Sequence, residues 1–192
     1  PIIEVLAGIP SVVLGFFGMT LVAPFVRETL GVPTGLTAFT GSLLLAYMAL
    51  PTIISISEDA LYAVPKEYRD AALAIGATQW QTIRRVILPA ARSGIVIATV
   101  LGIGRVIGET MAVMMVTGNA ANIPALRTGL IFQPVRTMTA TIAAEMGEVA
   151  QGSLHYQTLF AIGILLFLIT FAVNTLASLL IGGRNPRQRS QL

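Results

Sequence analysis

The chain has 192 residues, of which 55% are hydrophobic and only 11% charged, with a mean hydropathy of +0.80 and a formal net charge of +3. A soluble domain has about a quarter of its residues charged, so this composition excludes a domain bathed in water on every side and puts the chain in the membrane class. The lack of cysteine excludes disulfide frameworks, thiolate metal sites and cysteine nucleophiles, and the basic residues lack the aromatic interleaving of a nucleic-acid face.

In chain order, four segments reach the roughly 20 apolar residues that a helix needs to cross a bilayer. They are 2–26, interrupted by Gly8, Pro10, Gly15, Gly18 and Pro24; 36–57, with Pro51 as a kink; 93–117; and 158–181, whose main polar interruption is Asn174. The first residue is Pro1 and the apolar pattern already runs there, without the charged start of a signal peptide. The chain reads as a piece of something longer, or as processed. One all-α membrane domain over 1–192 is expected, with a polar loop at 58–92, a second loop at 118–157 and a tail at 182–192. Within 118–157, a helix is expected over 138–149, lying at the membrane surface.

The distribution of Lys and Arg orients the spans. Lys66, Arg69, Arg84, Arg85, Arg92, Arg184, Arg187 and Arg189 fall on one side, against Arg27, Arg127 and Arg136 on the other. Loop 58–92, the tail and Pro1 are therefore expected in the cytoplasm.

Loop 58–92 is too polar to span and too patterned to be slack. Pro65 suits a helix start, and Glu67 and Asp70 suit its positive end. Gly76 offers a stop and a turn. Thr78 opens a second helix, with Gln81 three residues on as capping-box partner. Trp80, Ile83, Val86 and Ile87 give that helix an apolar stripe, and Pro89 predicts a bend. Two readings fit the pattern: a helix pair resting on the membrane surface, or a knob for a soluble partner.

The stretch DAALAIGATQWQTIRRVILP resembles the EAA motif of ABC-transporter permeases, with Asp70, Ala71, Ala72, Gly76, Val86, Leu88 and Pro89 at the motif positions. Asp70 stands where glutamate is usual and Val86 where isoleucine is usual. The resemblance implies a helical bundle like those of type I ABC importers, here with the last four of six spans. It also implies a coupling loop (Gly76, Ala77, Thr78, Gln79 and Trp80) that docks on a pair of ATP-binding subunits. The chain itself has no Gly-Lys-Ser/Thr phosphate loop, its one lysine being Lys66 after Pro65. It is expected to be no enzyme and to bind no cofactor, with ATP and Mg used by the partner.

The stretch GIGRVIGETMAV puts Arg105 and Glu109 inside the third span, with Arg105 thirteenth of the 25 residues in 93–117. That is the bilayer midplane, where an arginine costs roughly 2.5–3.5 kcal/mol on insertion scales. Four residues apart on one helix, the two side chains are expected to pair. They serve either as a pin for helix packing, near the close approach that Gly104 and Gly108 favour, or as an anion-handling site in which the guanidinium grips an oxyanion through two N–H bonds.

The run GRVIGETMAVMMVTGN is similar to phosphate-specific ABC permeases of the PstC type. That resemblance implies phosphate as substrate, Arg105, Glu109 and Thr110 along its path, a PstA-like second permease, and a phosphate-binding protein outside. The cell would be bacterial or archaeal and the location its cytoplasmic membrane. Other oxyanions such as molybdate or sulfate, a secondary ion-coupled transporter, and a non-transporting scaffold are the alternatives. Met111, Met114 and Met115 are expected to pack. His155 is expected at a membrane interface, Glu145 and Glu148 on a solvated face, and no nucleophile–base or metal constellation is apparent.

Overall fold

In the computed structural model of the chain, residue 3 and residues 8–121 and 129–182 are described, apart from the side chains of 177, 178 and 180–182. The tail from 183 on, with Arg184, Arg187 and Arg189, lies outside the described residues, as do Arg127 and parts of the first span and second loop. Seven helices make up the described architecture: α1 (Ser11–Leu30), α2 (Ala38–Tyr62), α3 (Lys66–Ala74), α4 (Gln79–Ile107), α5 (Met111–Val116), α6 (Met138–Glu145) and α7 (Leu154–Gly182). Among the described residues there is no strand, only an isolated bridge from Gly118 to Val135. Helices α1, α2, α4 and the Leu154–Leu176 part of α7 are long and apolar enough to cross a membrane.

The spans begin and end elsewhere than the apolar runs alone indicate, for local reasons. Thr37 caps α2 by accepting from the Thr40 N–H at 3.3 Å, and Gly31, at φ +63°, ends α1 in the left-handed conformation that glycine adopts freely. The third span starts at Gln79, not near 93, because α4 runs unbroken through Pro89. The bend expected at Pro89 is replaced by a π turn over Ile83–Ile87. The same device occurs over Gly18–Val22, just before Pro24. In each case the carbonyl four residues before the proline, which the ring would strike, falls inside the widened turn. Pro51 likewise lies within a continuous α2.

Small residues let the spans approach closely. Buried Ala91, Ala98 and Gly102 line the α4 face that meets α2, where Gly94 stands against Ala60 and Gly102 against Ile53. Gly15 of α1 lies over the Ala112 backbone of α5, and Gly18 over Val116. Leu44, Met48, Ala112 and Val116 form the core there, with Leu14, Met19 and Met115 packed against it. Met115 thus packs as expected, whereas Met111 is exposed.

The helix expected over 138–149 forms as the shorter α6. The chain passes the start of α2, where the Ala38 N–H donates to the Gln133 carbonyl at 3.1 Å and the Phe39 and Phe132 rings stand 5.4 Å apart. It then dips inward, so that Thr139 in the first turn of α6 donates to the Glu109 carbonyl at 3.1 Å. From there α6 climbs beside α7, Ile142 lying against Gly163 and Glu145 reaching His155.

Candidate functional site: a broken span, an arginine and an exposed knob

The third span does not carry Arg105 and Glu109 on one continuous helix. It ends at Ile107, Gly108 to Thr110 leave the helical ladder, and α5 starts afresh at Met111. The expected pair is therefore not formed. Arg105 Nη1 donates to Thr52 Oγ1 on α2 at 2.9 Å, and the Glu109 carboxylate turns the other way, accepting from the Ala112 N–H at 3.1 Å. Glu109 thus satisfies one of the free donors that open α5. Thr110, at the N-cap position, donates its hydroxyl to the Gly108 carbonyl at 3.2 Å and so helps close the break.

Depth follows from the partner. Thr52 lies 14 residues from the start of α2 at Ala38 and 10 from its end at Tyr62, about 21 and 15 Å at the helical rise. Arg105 is thus held near mid-span, yet it is exposed on the chain's surface. An arginine at that depth facing lipid is costly, so this face calls for water, protein or an anion in front of it. Two residues of this environment escaped the sequence reading as site residues: Thr52, and Asn174 of α7, whose Oδ1 lies 3.8 Å from where a Cβ on Gly104 would stand. Gly104 is thus where α7 meets α4, while Gly108 meets only carbonyls of its own turn.

At the α3 end of the bundle, loop 58–92 forms two helices around a glycine turn. Gly76 has φ +87°, and its N–H and that of Ala77 return to the Leu73 and Ala72 carbonyls at 3.0 and 3.1 Å, the paired closure of a Schellman stop. Thr78 and Gln81 form both halves of the expected capping box. Ala72, Thr82 and Ile87 are buried and bind α3 to α4, whereas Ile75 is 86% and Trp80 69% exposed. Asp70, Ala71 and Gln79 lie on the exposed side. Leu88 and Pro89 belong instead to the stem of α4 beyond the π turn. The braced turn thus carries exposed apolar side chains at its tip.

At the opposite end a polar clamp joins three segments. Arg136 donates through Nε to Asn119 Oδ1 at 3.0 Å and through Nη1 to Glu145, and the other Glu145 oxygen meets His155 Nε2 at 2.8 Å. Glu145 is therefore not the merely solvated group the sequence indicated. Its bonds to His155 and then Arg136 hold its carboxyl below the ordinary value of 4.5. A depressed folded-state value contributes stability that is full above pH 4.5 and lost as pH falls through the folded value. Protection factors of the α6 amides are expected to drop over that acid range, and the Glu145→Gln variant to show low, pH-independent protection.

Comparison with known proteins bears on the family and the fold. The family described as "Binding-protein-dependent transport system inner membrane component" matches residues 1–190. The chain is 43% identical over 171 residues to the probable ABC transporter permease protein YqgH of Bacillus subtilis, covering 89% of this chain and 54% of that protein. It is 39% identical over 194 residues to the phosphate transport system permease protein PstC of Mesorhizobium japonicum (91% and 58% covered), and 35% identical over 198 residues to PstC of Haemophilus influenzae (93% and 61%). The chain thus spans little more than half the length of these curated relatives. Its fold is similar to a chain of the MetNI methionine ABC transporter in an inward-facing conformation, with a TM-score of 0.62, 25% identity, and 92% of this chain and 71% of that one covered. An all-α bundle with four potential spans among the described residues and this match over nearly its whole length mean that the chain belongs to the binding-protein-dependent transport system inner membrane components, the permeases of ABC importers.

Proposed function

We propose that the chain is the permease subunit of an ATP-driven importer for inorganic phosphate. The observation that carries this reading is that Arg105, exposed near mid-span, sits on the same unbroken helix as the coupling knob at Thr78–Gln81. Arginine has five N–H donors in a planar fork, and Thr52 occupies one of its nitrogens, so the others are open to an oxyanion. Because Glu109 caps α5 instead of neutralising Arg105, the packing-pin reading loses its ion pair and the anion reading gains a free positive charge.

Exposed Ile75 and Trp80 fit docking on a separate ATP-hydrolysing dimer, which would supply the ATP and Mg chemistry. Lys66, Arg69, Arg84, Arg85 and Arg92 all lie towards the knob's end of the bundle, which supports a cytoplasmic position for it. A second, PstA-like permease would complete the path beside Arg105, and a phosphate-binding protein would deliver on the opposite side. The PstC relatives support phosphate over sulfate or molybdate.

Uptake of labelled phosphate by the full-length permease with its partner subunits tests this reading. Uptake is expected to stop on ATP depletion and to resist competition by sulfate or molybdate. Uptake that survives without ATP but follows an ion gradient would return the secondary transporter, and competition by sulfate or molybdate at equal concentration would reassign the substrate.

A further inference from the structure

Resting on the reading of Arg105 as an anion-handling group, we infer that Asn174 is a specificity-determining residue of the same path, which reads the protonated oxygen that distinguishes phosphate from sulfate. Helical geometry puts the two side chains on one trough. With 100° per residue, and Gly102 marking the α4 face that meets α2, Gly104 points about 160° away, towards α7, and Arg105 emerges between them. Its banks are therefore α2, which contributes Thr52, and α7, which contributes Asn174.

Over the 15 residues that precede Asn174 the α7 bank is almost wholly apolar. From Leu159 to Val173 its only polar side chain is Thr170, whose hydroxyl is spent on the Leu166 carbonyl at 2.8 Å. Asn174 then presents an exposed primary amide beside Gly104, at the level of Arg105. Exposed to hydrocarbon at that depth, its donors and acceptor would go unmet. Facing the trough, they have a use that arginine lacks. A guanidinium only donates, whereas an amide donates through its NH₂ and accepts through Oδ1. Near neutral pH phosphate retains at least one P–OH, which donates to such an acceptor, whereas sulfate and molybdate have no proton to offer. A site built to bond a substrate hydroxyl rejects the analogue that lacks it far more strongly than a size filter does.

The test is phosphate uptake by the full-length permease assembled with its partners, at matched membrane levels and with ATPase co-purification checked. Asn174→Leu keeps the volume and removes both bonds. Its KM for phosphate is expected to rise about tenfold or more, the loss of hydrogen bonds to a charged group, with little change in Vmax and with new inhibition by sulfate. Asn174→Asp keeps an acceptor but adds a negative charge, so its uptake optimum is expected to move to lower pH, where phosphate carries less charge. A residue that merely packs against α4 would move neither selectivity nor the pH profile. Unchanged KM and selectivity in Asn174→Leu, with uptake still lost in Arg105→Gln, would overturn the role of Asn174 alone. Uptake unaffected by Arg105→Gln would overturn the path itself and Asn174 with it. Should Asn174→Leu fail to reach the membrane, Asn174→Ala carries the same measurement.

Discussion

Replacing Arg105 by glutamine is expected to lower phosphate uptake by at least about a hundredfold while the ATPase subunit still co-purifies. The magnitude follows from what the guanidinium offers an oxyanion: two parallel charge-assisted bonds, each worth about 1.5–3 kcal/mol. Glutamine retains a polar tip that reaches towards Thr52 Oγ1, so packing between α2 and α4 is preserved and the loss is one of charge. Arg105→Lys is expected to fall between, since an ammonium keeps the charge but not the two-pronged geometry. Glu109→Gln should do less than either, because its side chain serves the Ala112 N–H, which an amide oxygen also accepts from. Labelled uptake at matched membrane levels decides. Full activity in Arg105→Gln would make the Arg105–Thr52 bond a packing contact and remove the basis for an anion path.

The second large effect is on folding. Gly35 is buried in the turn between α1 and α2, where a Cβ would overlap the Ala23 carbonyl outright. Its own carbonyl accepts the Thr40 hydroxyl at 2.6 Å, so the backbone is held from both sides. The obstacle is main chain and cannot swing away. Gly35→Ala is expected to cost about 3 kcal/mol or more, the upper range of overpacking, and to lower the detergent melting temperature and membrane yield together. Gly147→Ala is the control: no atom lies within 4 Å of its added Cβ, and stability should be unchanged. Equal stability of the two variants would mean that the α1–α2 turn yields where the structure has it rigid.

The residues that were legible in the sequence acted through neighbours a few positions away. Thr78 and Gln81 form the expected capping box because both partners lie within one turn, and the glycine stop at Gly76 depends only on its own φ. The apolar runs marked the spans because length and composition carry that information. The run GRVIGETMAV carries weak local cues, Gly108 and the Glu109 and Thr110 side chains, which an apolar run of this length masks, and the break at Gly108–Thr110 is also held from far along the chain by Thr139 on the Glu109 carbonyl. Pro89 carried a real cue that was resolved differently, by a widened turn instead of a bend. The Arg136–Glu145–His155 clamp was hidden because its members meet only after residues 130–145 fold back beside α7. Asn174 was visible as an interruption in an apolar run, but its position beside Gly104 depends on how α7 crosses α4.

Helix α4 has a mechanical consequence as a lever. From Gln79 to Arg105 it rises by 26 residue steps, about 39 Å of continuous helix. A tilt of about 5° applied at the knob, if the rod were stiff, would swing Arg105 by about 3 Å, the difference between making and losing a hydrogen bond. The widened turn at Ile83–Ile87 sits close to the knob, so the arm from Leu88 to Arg105 is regular helix and would carry such a tilt to the arginine as one piece.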